Sequence, residues 1–308
     1  MTDIALSTMY SPAYDSMRGF LEAASAAGFT HIDLNNLLTG ELLDELLESG
    51  GFKISTLHAP IPNPFLSGGG RLSELSLSSE DRQERKEAVR GVLETIETAA
   101  SLNTKTVVLH AGDYDIDTDL EKQLRRSCLE GLKEAPRQGA LRKELIRTRE
   151  EQAARCFRFA EDSLSRITEY AEKKDISIAL ETRANFHEIP DPDEMSRLLE
   201  KFPPERVSYW HDTGHAEFRA REGFTPHLEW FERFRDRLSG VHLHDMKELK
   251  DHFPPGEGDL DWELISRNLP EGIIKVCEIG RWHSFARMAA SIPFLKSRGI
   301  LNRDPGLH

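Results

Sequence analysis

Acidic side chains and histidines stand at the ends of short apolar runs in this sequence. The segments IALET, RVSYWHDT, GVHLHD and VCEIG contribute, in this order, Glu181, Asp212, His242 and Glu278. Three carboxylates and one imidazole suit Mn²⁺, Mg²⁺, Co²⁺ or Zn²⁺, whereas copper(I) and iron–sulfur clusters favour sulfur ligands. Clustered carboxylates repel one another strongly unless a cation offsets their charge. The four residues therefore predict a divalent metal site, provided that the four runs lie side by side.

Three further histidines occupy comparable positions. STLHAP and VVLHAG contain His58 and His110 near the ends of apolar runs, and His215 follows Asp212 by three residues in WHDTGHAEF. An imidazole at such a position can bind a metal ion or an oxygen of a substrate. We therefore expect these histidines to surround the predicted metal site.

The roles of His211 and His244 follow from the alternation of side-chain direction along a strand. Successive side chains of a strand point to opposite faces, so His211 is expected to face away from Asp212. His244 shares its parity with His242, and it is interpreted either as a support for the ligands or as a substrate residue. Isolated histidines are more often structural than functional, and no role is assigned to His31, His187, His227 and His283.

The elements that must position these residues alternate between strands and helices. Short β-like runs begin near Asp3, His31, Lys53, Thr104, Asp175, Arg206, Gly240 and Ile273, and a segment with helical periodicity follows each run. Eight such units without an antiparallel strand or a linker predict an α/β protein, a single (β/α)₈ TIM barrel over residues 1–308. A doubly wound open sheet is the alternative, but it usually carries a glycine-rich turn after its first strand. In a barrel, the carboxyl ends of the strands share one rim, so the candidate residues are expected to meet there.

One segment interrupts the alternation. Residues 113–150, after the fourth strand, are highly charged and mostly helix-permissive, as in LEKQLRRSCLEGLKE and LRKELIRTREE. They are interpreted as an insertion in the loop or as an extension of the next helix. The composition favours a solvated amphipathic hairpin over a lid or a dimer contact.

The composition limits the choice of partners. The 308 residues carry a formal net charge of −13, which favours solubility and disfavours binding to nucleic acid or to an anionic membrane. No window approaches 18 apolar residues, and the first residues lack the basic region of a signal peptide. The three scattered cysteines indicate reduced thiols and a cytoplasmic location. Whether the chain forms a homo-oligomer stays open.

At these residues the chain resembles the xylose isomerase-like (β/α)₈ superfamily, of the sugar phosphate isomerase/epimerase type. The resemblance covers nearly the whole chain outside residues 113–150, and it rests on LHAP, VVLHAG, IALET, HDTGHA, VHLHD, PPGEGDLDW and VCEIG. It implies that Glu181, Asp212, His242 and Glu278 bind one metal ion. It also implies that the two glutamates exchange protons with the substrate carbon and that His215 contacts the sugar.

The sequence is also similar to the DNA-repair branch of this superfamily, the endonuclease IV family. That resemblance implies a trinuclear zinc cluster whose additional histidines fall on His58, His110, His215 and His252. The third zinc of the cluster also requires an aspartate two residues before the last histidine. Lys250 stands there instead, and Asp251 is shifted by one residue. This departure argues against a complete three-zinc site.

The resulting hypothesis is a divalent-metal-dependent isomerase or epimerase of a sugar or a related polyhydroxy ketone or acid. Glu181 and Glu278 would be the catalytic pair, one removing a proton and the other returning one through a metal-stabilised enediolate. The expected contacts to this small-molecule substrate are His58, His110, His215, Arg183, His252 and Arg281. The alternatives are a zinc-dependent phosphodiesterase acting on abasic DNA, a lyase or dehydratase on the same scaffold, and a non-catalytic barrel.

Overall fold

The computed structural model describes residues 3–129 and 136–301. Eight parallel strands close into a barrel in the order β1-β8-β7-β6-β5-β4-β3-β2, so that every strand pairs with its neighbours in the sequence and β8 pairs with β1. The strands are β1 Ala5–Ser7, β2 His31–Leu34, β3 Lys53–His58, β4 Thr106–Leu109, β5 Ser177–Glu181, β6 Val207–Asp212, β7 Leu238–Leu243 and β8 Ile274–Cys277. The predicted (β/α)₈ barrel is thereby confirmed.

Helices surround the barrel. They are α1 Met17–Ala27, α2 Gly40–Ser49, α3 Arg82–Ser101, α4 Thr118–Leu129, α5 Pro136–Lys173, α6 Pro192–Lys201, α7 Thr213–Arg221, α8 His227–Phe234, α9 Trp262–Asn268, α10 Phe285–Ala289 and α11 Ser291–Ser297, with 3₁₀ helices at Thr8–Ala13, Leu72–Glu74 and Arg235–Arg237. Local sequence sets their ends: the hydroxyl of Thr39 accepts a hydrogen bond from the amide of Leu42 at the start of α2. Gly50 ends this helix with a φ of 60°, a value that glycine adopts readily.

Two short antiparallel pairs lie outside the barrel. Gly112–Asp113 pairs with Glu188–Ile189, and Asp245–Lys247 pairs with Lys250–Phe253. The expectation of no antiparallel strands is therefore wrong for the loops, although it holds for the barrel. Both pairs follow directly after barrel strands, and they shape the loops that surround the carboxyl-terminal rim.

A small apolar cluster fills the lower part of the barrel interior. Its members come from five strands, and they are Ala5, Val108, Ala179, Trp210 and Val276. The indole of Trp210 lies against Gly240, where an added Cβ would come within 2.0 Å of a ring carbon. The larger apolar core lies between the strands and the helices. Above the Trp210 ring, the inward-facing positions are polar.

The charged segment predicted at 113–150 consists of α4 and the first part of the 38-residue helix α5, while its residues 130–135 lie outside the described part of the chain. Both helices bury side chains, among them Leu124, Leu145 and Arg149. The segment packs against the loop after β5, which differs from the favoured prediction of a solvated hairpin. Its charges obscured these contacts, because two of the charged residues, Glu121 and Arg149, are themselves buried.

None of the described helices combines the length and the apolar character that crossing a lipid bilayer requires.

Candidate metal centre

Four strand ends bring three carboxylates around one imidazole nitrogen. The Nδ1 atom of His242 lies 2.6 Å from Oε1 of Glu181, 3.6 Å from Oδ2 of Asp212 and 3.6 Å from Oε2 of Glu278. One potential ligand atom from each of the four residues lies within 4.8 Å of the others, and all four residues are buried. The structure thus brings together the four residues for which the sequence predicts a metal site.

The donor set fits a divalent cation. A single ring N–H can satisfy only one of the three carboxylates, and the buried Oδ2 of Asp212 has no hydrogen-bond partner in the described part of the chain. Burial disfavours protonation of His242, but the charges of Glu278 and Glu181 outweigh this effect and raise the pKa of its ring well above the usual value. Bound cations balance such clusters, and binding through Nδ1 would release the ring proton.

Hydrogen bonds to one carboxylate oxygen hold Asp212 in place. Its Oδ1 accepts hydrogen bonds from the backbone N–H of His215 at 2.7 Å and from Nε2 of His244 at 2.9 Å. The Nδ1 of His244 accepts the backbone N–H of His252, so the ring proton of neutral His244 must sit on Nε2. His244 therefore supports a candidate ligand, and Oδ2 of Asp212 is turned towards the centre.

His215 and His252 each leave one ring nitrogen available. Their Nδ1 atoms donate to the carbonyl oxygens of Thr182 at 2.9 Å and of Glu278 at 3.1 Å. Because a carbonyl can only accept, the lone pair of each neutral ring resides on Nε2, the arrangement typical of metal-binding histidines. His215, His244 and His252 also form a second group with metal-like spacing.

The hairpin after β7 places Asp251 beside this group. The carboxylate of Asp251 lies 3.8 Å from Nε2 of His252. His252 adopts a φ of 56°, which is uncommon for a residue other than glycine and occurs often at functional sites. The aspartate that is shifted by one residue in the sequence thus still lies next to the histidines.

The second oxygen of Glu181 has its own set of partners. Oε2 lies 3.0 Å from Nε2 of His58, 2.8 Å from Nε2 of His110 and 3.1 Å from Nη1 of Arg183. His58, His110 and Glu181 form a third group with metal-like spacing. Burial and the charge of Arg183 lower the pKa of His110 to about 3, so that its ring is neutral.

Two further side chains complete the surroundings, and the sequence did not reveal them. Nδ2 of Asn35 donates to Oε1 of Glu278 at 2.8 Å, and the carboxylate of Glu188 pairs with the guanidinium of Arg183. Asn35 directly follows β2, so the rim rule could have found it. The contact of Glu188 depends on the path of a loop, and nothing in the sequence pattern indicates it.

Other predicted residues lie apart from the centre. Arg281 is exposed, and no hydrogen bond joins it to the centre within residues 3–129 and 136–301. The ring of His211 lies on the far side of its strand, where it contacts the hydroxyl of Tyr209 and the ring of His227. Two of the histidines without an assigned role pair with carboxylates elsewhere, His187 with Glu121 and His227 with Glu217.

The family follows from a comparison of the sequence with family models. A model described as "Xylose isomerase-like TIM barrel" matches residues 21–298. The chain belongs to this family. No curated protein sequence matches it significantly.

Solved structures of this xylose isomerase-like architecture superpose over almost the entire chain. A D-tagatose 3-epimerase-like protein shares 19% identity with a TM-score of 0.66, covering 97% of each chain. The 3-keto-D-glucoside 4-epimerase from E. coli shares 15% identity with a TM-score of 0.65, covering 96% of this chain and 100% of the other. A protein from Thermus thermophilus, soaked with ZnCl₂, shares 22% identity with a TM-score of 0.62, covering 98% of this chain and 100% of the other. At these identities, the likeness establishes a common fold.

Proposed function

We propose that this xylose isomerase-like barrel is a divalent-metal-dependent isomerase or epimerase of a small sugar or a related polyhydroxy ketone or acid. The observation that carries the proposal is the approach of two glutamates, from β5 and β8, to the same imidazole nitrogen. Two carboxylates at one centre can act on two faces of a substrate carbon. The printed activities of the solved epimerases with this fold support the same reaction class.

Glu181, Asp212, His242 and Glu278 would hold the ion. When bound, a divalent cation polarises a carbonyl group and offsets the negative charge that develops as the neighbouring carbon loses its proton. Mn²⁺, Co²⁺, Mg²⁺ and Zn²⁺ all suit the mixed oxygen and nitrogen donors.

The two glutamates would move the proton. One carboxylate accepts the proton from the carbon, and the electron pair of the broken C–H bond stays on the substrate. The other carboxyl group returns a proton to that carbon or to its neighbour, which gives an epimer or an isomer. Glu278 is the better first acceptor, because within residues 3–129 and 136–301 only Asn35 donates a side-chain hydrogen bond to it and its carboxylate keeps more of its basicity.

The rim histidines would bind substrate oxygens. His215 and His252 present Nε2 lone pairs that can accept hydrogen bonds from hydroxyl groups, and His110 is partly exposed at the mouth. We propose that these residues, together with His58 and Arg183, line the sugar site. The exposed Arg281 remains a candidate only for an outer contact.

Proton exchange with the solvent tests the proposal. D-tagatose and L-ribulose are incubated in D₂O with the protein and each of the four metal ions, and deuterium at carbon is measured by NMR. We expect incorporation with at least one ion and its loss in Glu278→Gln, whereas the exposed Glu263→Gln serves as the matched control. A metal-loaded Glu278→Gln variant that exchanges at the rate of the unchanged protein would contradict the assignment.

A second candidate is a multi-metal phosphodiesterase. The spacing of His215, His244 and His252 favours it, as does the carboxylate of Asp251 beside this group. Cleavage of an abasic duplex with two or more zinc ions per chain would support this candidate. Absence of cleavage under zinc saturation, combined with deuterium exchange on a ketose, would decide for the isomerase.

A further inference from the structure

One side of Glu181 faces a set of donors that a metal ion could use. His58, His110 and Glu181 offer two ring nitrogens and one carboxylate oxygen with suitable spacing. This group shares Glu181 with the four-residue centre but uses the other carboxylate oxygen, since Oε1 faces His242 and Oε2 faces the two histidines. By its donors alone, the group could hold a second divalent ion.

The guanidinium of Arg183 already contacts two of these three donors. Its Nη1 donates to Oε2 of Glu181 at 3.1 Å and also to Nε2 of His110. Its Nη2 pairs with the carboxylate of Glu188, and the arginine side chain is only 10% exposed. A single nitrogen with two hydrogens thus bridges a carboxylate and an imidazole lone pair.

We propose that Arg183 takes the place of a second divalent cation at His58, His110 and Glu181, so that this group binds no metal ion in the unmodified protein. A guanidinium cannot be deprotonated in a protein, so its positive charge is permanent. A metal ion at this position would lie next to that charge and be repelled by it. It would also need the lone pair of His110 that Arg183 occupies.

The loop after β5 keeps Arg183 in this position. The carbonyl of Arg183 accepts from Nε of Arg219 at 3.0 Å, and the carbonyl of Glu188 accepts from Nη1 of Arg149 at 3.0 Å. The backbone N–H of His187 donates to Oε1 of Glu121 at 2.7 Å. These anchors come from α4, α5 and α7, so the loop is held from its outer side. The charged segment therefore helps to hold the guanidinium of Arg183 next to Glu181.

The inference shares Glu181 with the proposed function, and metal content separates the two. Purified protein is saturated with Zn²⁺ or Mn²⁺ and dialysed, and the ions per chain are counted by elemental analysis. We expect His110→Ala to leave the metal content of the protein unchanged. Arg183→Met is expected to gain about one ion per chain, and the double variant Arg183→Met/His110→Ala to lose it again. The exposed Arg267→Met is the matched control for loss of an arginine, and its content should not change.

Two results would overturn the inference. One is a lower metal content in His110→Ala than in the unmodified protein, because it would place an ion on His110 despite Arg183. The other is a folded Arg183→Met variant, verified by circular dichroism, that gains no ion. If the protein holds no metal ion that is lost on replacing Asp212, the proposed metal centre is refuted instead. The comparison of metal content between the Arg183 and His110 variants would still test the inference.

Discussion

The two glutamates of the candidate metal centre have contrasting surroundings. Among the described residues, Glu181 receives hydrogen bonds from the side chains of His58, Arg183 and His242, whereas Glu278 receives one, from Asn35. The loop after Glu181 is anchored by three helices, but the loop after Glu278 carries Arg281 and the 63%-exposed Trp282 at the surface. A carboxylate with many donors is held ionised and in place, and one with few donors can take up a proton more readily. The β5 side therefore suits binding of the ion, and the β8 side suits proton transfer.

Replacing each glutamate should separate the two roles most clearly. We expect Glu181→Gln to weaken metal binding at least about 100-fold, because its side chain meets both the ion and the supporting cluster. Glu278→Gln should lower turnover by roughly 10² to 10⁴-fold while weakening metal binding much less. Titration calorimetry with Mn²⁺ and steady-state rates test this difference. Equal losses of metal affinity in the two variants would contradict the division into a metal-binding Glu181 and a proton-transferring Glu278.

Loosening the anchored loop should have the next largest effect. Arg149→Met removes the donor to the carbonyls of Phe186 and Glu188, and it leaves the buried carboxylate of Glu194 without its cation. We expect the free energy of unfolding to fall by about 3 kcal/mol, as measured by urea denaturation. Arg267→Met, on the exposed face of α9, should change it by less than about 0.5 kcal/mol. Similar losses in both variants would show that the anchor is not specific.

Removing the amide that donates to Glu278 should alter the pH dependence of activity. The amide of Asn35 stabilises the ionised carboxylate, so Asn35→Ala should raise the pKa of Glu278. The acidic limb of the kcat/KM profile should then move to higher pH. An unchanged profile would mean that another group sets this limb. The same substitution at Asn268 on α9 provides the control.

The smallest effect concerns His187 in the anchored loop. Burial disfavours its protonation, but the hydrogen bond and charge of Glu121 outweigh burial and raise the pKa of His187. Its contribution to stability is therefore complete below the unfolded pKa of about 6.5 and is lost as the pH rises through the folded pKa. Between pH 6 and 9, the protein should lose up to about 1 kcal/mol relative to His187→Gln, since the pair is partly exposed. Thermal unfolding of both proteins at the two pH values measures this difference. An equal change in the stability of the two proteins between these pH values would contradict it.

The barrel and the four-residue centre could be predicted because both follow from local rules. Alternating strands and helices identify the fold, and the rim rule places Glu181, Asp212, His242 and Glu278 together. The anchors of the loop after β5 could not be predicted in this way. Arg149 and Glu188 are 39 residues apart, and their contact depends on how a long helix crosses the barrel.

Backbone conformation explains the other differences. The sequence offset of Asp251 suggested a lost ligand, but the left-handed backbone at His252 and the hairpin around it bring this carboxylate next to the histidines. A positive φ at a histidine has no signature in a single sequence. Arg281 shows the reverse case, because a rim position gave it a predicted role while its side chain points into solvent.

The indole of Trp210, which lies against Gly240, affects how small molecules can reach the barrel interior. With its apolar neighbours it fills the lower half of the barrel interior, so the substrate and product of the proposed enzyme would both pass between the loops of the carboxyl-terminal rim. The next substrate molecule would then have to wait until the product has left. Any side chain at position 240 would overlap the Trp210 ring, so that the ring would have to shift from its place in the barrel.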